Sequence, residues 1–186
     1  MSAFESLLEL IATSTPGSEP VSSSAELDAV RALAARSPSV TRLLSLVIDE
    51  RRKFAFGVLE IYPSVFTRLA RHPGVLGPTE LVVGNDGGGD LYLADVASGG
   101  VRRVIHDEGW VSRGQHASLD AWIERAMWVS LESIEADEVD ELAERGADFL
   151  RTLRWAHAQQ PEALQDETRE ALEAAGLIDA ITTDDE

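Results

Sequence analysis

The stretch GNDGGGDLYLADVASGGVRRVIHDEGW, residues 84–110, contains three consecutive glycines flanked by acids, two alternating runs separated by a second glycine turn, and a closing His-Asp-Glu cluster. Glycine is the residue of choice where φ must be positive, and Asn and Asp tolerate the left-handed region. Asn85 to Gly89 therefore reads as a tight loop between two strands, and Ser98-Gly99-Gly100 as the next hairpin turn. TELVV (79–83) precedes the loop and has strand composition. In DLYLADV (90–96), Leu91 and Leu93 fall on one face and Tyr92, Ala94 and Val96 on the other. In VRRVIH (101–106), Val101 and Ile105 lie opposite Val104 across the pleat. Turns this short leave no room for a crossover helix, so the three strands must be antiparallel neighbours in a meander. The positions that fix these turns are Gly84, Asn85, Gly87, Gly88, Gly89, Gly99 and Gly100.

The same stretch has to be weighed as a chemical site. A phosphate-binding loop needs a Lys and a Ser or Thr leading into a helix. These glycines lead into a strand, and the acids beside them would repel phosphate. A calcium loop of the EF-hand type needs alternating acids and a distant bidentate Glu; Asn85, Asp86 and Asp90 do not supply that register. His106, Asp107 and Glu108 are consecutive, so on a strand they point to opposite faces and do not converge by themselves. His116 lies near in sequence, but no H-E-x-x-H spacing accompanies it, and no Ser sits in G-x-S-x-G. The expectation is a chain that is not an enzyme, with no catalytic residue, no cofactor and no metal, whose glycine turns are structural. An enzyme or metal protein built on Asp86, Asp90, His106, Asp107 and Glu108 is the competing reading.

Working outward, residues 3–12 have the pattern of a short helix, and 13–24 (TSTPGSEPVSSS) read as a linker. Ser23 and Glu26 have capping-box spacing and open a helix to about Arg36, with Leu27, Val30, Leu33 and Ala34 on one face. Ser37-Pro38 starts the next helix, whose stripe is Val40, Leu43, Leu44 and Val47. Arg51, Arg52 and Lys53 suit its C-terminal end and need no nucleic-acid role. FAFGVLEIY (54–62) reads as one strand. Pro63 opens a short helix with Val65, Phe66, Leu69 and Ala70 inward, and His72-Pro73-Gly74 stops it. After the meander, Ser118 caps a helix that buries Leu119, Trp122, Ile123 and Ala126. Trp128 lies on its opposite side and needs cover from the next helix, about 137–159, with Val139, Leu142, Phe149, Leu150 and Leu153 as a stripe. A last helix, about 161–175, closes at Gly176-Leu177 in a Schellman stop. Residues 179–186 read as a frayed acidic tail.

Composition bounds the function. Cysteine is absent, which excludes disulfides and thiolate zinc sites. No apolar run is long enough to span a membrane, and the N-terminal residues carry no basic region of a secretory signal. The expected location is cytoplasmic, without a membrane partner. The net charge of −17 disfavours nucleic acid as a direct ligand. Residues 131–186 carry 17 acids against 4 bases, so most of the excess lies there. That charge suits either a solvated surface or a docking face for a basic protein.

The segment from Val82 to Tyr92, followed by Val101 to His106 and Asp107, resembles the signature region of the SUKH superfamily, the Smi/Knr-type proteins. There a strand runs into a glycine-acid turn, a Gly-Asp-x-Tyr type strand, a short turn and a strand ending near a His and an acid. Ser118 to Ala126 is similar to the helix that closes the family pattern, and Gly57 to Pro63 to its earlier strand and helix start. Upstream the pattern departs: Ser37 to Leu44 has no aromatic, and Ile48-Asp49-Glu50 stands where the family has an Asn-Gly turn. The resemblance covers about residues 25–130. It implies an α+β fold, a mostly antiparallel sheet with helices packed on it. It also divides the chain into an N-terminal helix and linker (1–24), a SUKH-like domain (25–130), an acidic helical extension packed on it (131–178) and a tail (179–186).

Many bacterial members of that family are similar to immunity proteins, which neutralise toxins, often nucleases. The resemblance therefore implies a non-enzymatic module that occludes a basic toxin domain. The alternative within the same superfamily is an intracellular scaffold or regulatory protein with no toxin. Candidate partner-binding residues are Asp86, Asp90, Asp107 and Glu108, with Trp110 as an aromatic anchor.

Overall fold

The structure, a computed structural model, describes residues 1–17, 25–69, 72 and 74–178. The capping pair Ser23/Glu26, Ala70, Pro73 and the acidic tail fall wholly or partly outside them. The class is α+β. Three helices come first: α1 (Ala3–Thr13), α2 (Ala25–Ala34) and α3 (Pro38–Leu44). Six strands follow: β1 (Phe54–Phe56), β2 (Leu59–Ile61), β3 (Glu80–Asn85), β4 (Leu91–Asp95), β5 (Val101–Ile105) and β6 (Val111–His116). They form one sheet in sequence order, with every pair from β2 to β6 antiparallel. The helices α4 (Leu119–Glu132), α5 (Val139–Glu144), α6 (Ala147–Gln159) and α7 (Asp166–Ala174) follow among the described residues.

By compactness the chain divides into two units. One holds Met1–Ala55 and Leu59–Ile123; the other holds Phe56–Val58 and the residues from Glu124 onward. The first is built around β4. Leu91, Tyr92, Leu93 and Ala94 are all buried, so the strand is covered on both faces. The ring of Trp122, in the first turn of α4, lies tilted 5.3 Å from Tyr92 and 6.5 Å from Phe4 of α1. The Phe4 N–H donates to Asp120 at 2.8 Å, which ties α1 to the first turn of α4. Ser37 caps α3 with Pro38 in its first turn, and Val40, Leu43, Leu44 and Val47 are buried. A π-helical turn (Ser45–Asp49) ends that helix.

The second unit is helical. The Ser130 hydroxyl accepts from Val58 N–H at 3.1 Å and donates to the carbonyls of Ala126 and Phe56. Phe56 meets the Phe149 ring at 5.7 Å, and Arg145 lies over that ring. Thr168 of α7 donates to the Ile134 carbonyl at 2.8 Å. Helix α7 ends in the expected Schellman pair: Leu177 N–H to Leu172 carbonyl and Gly176 N–H to Glu173 carbonyl.

Four expectations need correction. The run 54–62 is two strands, because Gly57 takes φ +52 and turns the chain. A Cβ on Gly57 would fall 2.3 Å from the Ser130 side chain, so only glycine fits there. The single helix expected over 137–159 is a 3-10 turn (Ala136–Glu138) followed by α5 and α6, broken by Gly146 at φ +86. The helix after Pro63 is a 3-10 turn, Pro63–Thr67, and buries Val65 and Phe66. Strand β6 was not foreseen at all: VSRGQH is polar and mostly exposed, so no apolar alternation betrays it.

Candidate functional site

The glycine-acid loop is closed by one carboxylate. Asp86 Oδ1 accepts from the Gly88 and Asp90 N–H groups, both at 3.0 Å, and the Asp86 N–H donates to the Asp90 carbonyl. Gly87 and Gly89 take φ +74 and +110, conformations that any side chain would strain. A Cβ on Gly89 would also sit 3.1 Å from the His106 ring. Asn85 is the last residue of β3, buried at 2% exposure, and its amide donates to Glu60 at 3.1 Å. Gly84 lies within β3, beside a register shift that leaves Val83 unpaired, and a Cβ there would fall 3.2 Å from the Glu60 carbonyl. Gly99 takes positive φ in the β4–β5 turn, and the Gly100 N–H is held by Ser98 there.

Behind the loop lies a charged cluster set by sheet register. Leu91 faces Val104 and Tyr92 faces Arg103, so Asp90 and His106 meet where β4 begins and β5 ends. Arg103 Nη2 reaches Asp86 at 2.5 Å and Asp90 at 2.7 Å. The second Asp90 oxygen accepts from the His106 backbone N–H and meets His106 Nδ1, both at 2.9 Å. Burial opposes ionisation of Asp90, but the hydrogen bonds from His106 and the Arg103 charge outweigh it and hold the carboxyl below its ordinary value. The sequence reading missed Arg103, whose role follows only from the β4–β5 register.

The turn between β5 and β6 carries the other candidates. His106 Nε2 lies 2.8 Å from Asp107, whose side chain is 84% exposed. Glu108 pairs with Arg113 of β6 at 2.9 Å. Gly109 and Trp110 both take positive φ, and the Trp110 N–H closes the turn onto the Ile105 carbonyl. The half-buried Trp110 ring stands 5.2 Å from His72 and 6.3 Å from His106. Next to it, Val111 is 46% exposed.

The five candidates thus fall into two sets. Asp107, Glu108 and Trp110 share one surface turn, while Asp86 and Asp90 are spent on Arg103, His106 and loop amides. Chemically, the imidazole of His106 bridges a buried and an exposed carboxylate and fastens the turn to the loop. Among the described residues, no group of three or more His, Asp or Glu is arranged to hold a metal ion. Among the described residues, no helix is long and apolar enough to cross a membrane. No family model matches the chain, and neither a curated protein nor a solved structure matches it.

Proposed function

We propose that the chain is a protein-binding module of the immunity type, which neutralises a basic toxin domain by occlusion through the β5–β6 turn. The observation that carries this reading is the turn itself. It presents Asp107, Glu108, Trp110 and Val111 together, on a base braced by the Asp86–Arg103–Asp90–His106 cluster. A rigid aromatic held at positive φ and flanked by carboxylates suits an interface in which apolar contact anchors and charge steers. The SUKH-like sequence pattern points to the same class, and the net charge of −17 favours encounter with a cationic partner.

The test is a capture experiment with the full chain as bait, run beside a Asp107→Lys/Glu108→Lys variant and Trp110→Ala. A basic partner should be held at low salt, fall away as salt rises and be lost with either variant. Expressed alone it should arrest growth, and co-expression of this chain should restore growth. A partner held equally by wild type and variants puts the contact elsewhere. A partner that is harmless when expressed alone supports the scaffold reading instead.

A further inference from the structure

We propose a second site, independent of the toxin-binding reading: a cavity that binds a small phosphomonoester bearing a planar ring, of the nucleoside monophosphate kind. The cavity measures about 460 Å³ and lies entirely within the first unit. That is within the range of small-molecule sites. Its walls combine two cations, Arg51 and Lys53, two aromatics, Phe54 and Tyr62, and one acid, Glu60.

The cations are the first argument. Arg52, between them, is committed elsewhere: its guanidinium donates to the Ser14 carbonyl and lies 3.7 Å from Glu50. Arg31, Arg42, Arg102, Arg103 and Arg113 are each paired with carboxylates. Among the described residues, neither Arg51 nor Lys53 has a carboxylate partner. Arg51 and Lys53 are both exposed and line the same cavity; together they match the charge of a phosphomonoester, about −1.5 to −2 near neutral pH.

Backbone strain is the second. Arg51 takes φ +58, where Gly or Asn would be cheaper. Its backbone serves the fold through the carbonyl, which accepts from Gly17 N–H at 2.7 Å. Any residue supplies that carbonyl, so the fold alone does not call for a long cationic side chain there. Strain of this kind collects at binding sites.

The remaining walls define the rest of the ligand. Phe54 is 5% exposed and forms an apolar floor, while half-buried Tyr62 offers a ring for stacking. Glu60 is oriented by the Asn85 amide on one oxygen. Its other oxygen is an acceptor for a ring amine or hydroxyl.

The experiment is calorimetric titration of the full chain with adenosine 5′-monophosphate, with adenosine and inorganic phosphate as controls. The nucleotide should bind at least tenfold tighter than either control. Arg51→Asn, which tolerates the backbone, and Lys53→Gln should each weaken it severalfold with the melting temperature unchanged. Tyr62→Ala should weaken the nucleotide but leave inorganic phosphate alone. Absence of saturable nucleotide binding overturns the proposal. So does binding indifferent to both cation variants, or inorganic phosphate binding as tightly as the nucleotide, which would mean a bare anion contact.

Discussion

Asp90 is a carboxylate kept charged against its own burial. At 7% exposure it accepts from a guanidinium, an imidazole and a backbone N–H. Its folded pKa lies below the unfolded value of about 3.9. Its contribution is therefore complete above that value and is lost as pH falls through the lower folded one. Glu80, bonded to Arg102, and Asp95, bonded to Thr79, are lowered in the same direction. Asp90→Asn should cost about 2 kcal/mol at neutral pH, the scale of hydrogen bonds to a charged group. It should also flatten the acid limb of a stability–pH curve from urea melts without abolishing it, since Glu80 and Asp95 remain. An unchanged acid limb would remove Asp90 from that account. At this scale the sequence was half legible. The glycines with positive φ announced a tight loop, because few residues can replace them. The destination of the acids was not announced, because it depends on Arg103, which lies across a hairpin and whose register no local pattern encodes.

The strands were legible where burial demands apolar residues and hidden where it does not. β4, covered on both faces, reads clearly; β6, at the end of the sheet, does not. Its register against β5 shifts at one place. Arg102 faces Gln115 and Arg103 faces Arg113, which leaves Gly114, at φ +72, as the extra residue of a bulge. A bulge and a charged side chain on a terminal strand are the usual defences against edge-to-edge pairing. They also disfavour recruitment of a partner by addition of a strand at β6. Deleting Gly114 together with Arg113→Val should straighten and neutralise this edge. The expected outcome is concentration-dependent self-association in sedimentation velocity, where the wild-type chain stays unchanged. A double variant that does not associate would mean that something other than the bulge protects the strand.

The two units are interleaved in the chain, a property with no counterpart in the residue patterns. Hydrophobic periodicity groups neighbours in sequence, so 54–62 reads as one element of one domain. The compact division instead gives Phe56–Val58 to the helical unit. The Val58 amide and Phe56 carbonyl are held by the Ser130 hydroxyl, and Phe56 by Phe149. A chain ending at Ile123 keeps every residue of the first unit yet removes these partners. In hydrogen exchange, the Val58 amide should lose its protection in that truncation while amides at the centre of β4 keep theirs. Protection retained at Val58 would mean that the turn is held from within the first unit.

The same interleaving sets a clock on synthesis. Seventy-two residues separate Val58 from Ser130. At about 5–20 residues per second, the turn waits roughly 4–14 s after leaving the ribosome before the hydroxyl that receives its amide exists. During that interval Phe56 has no Phe149 to meet. Any factor that shelters nascent chains would find its work concentrated there, on a three-residue segment whose completing hydroxyl is made 72 residues later.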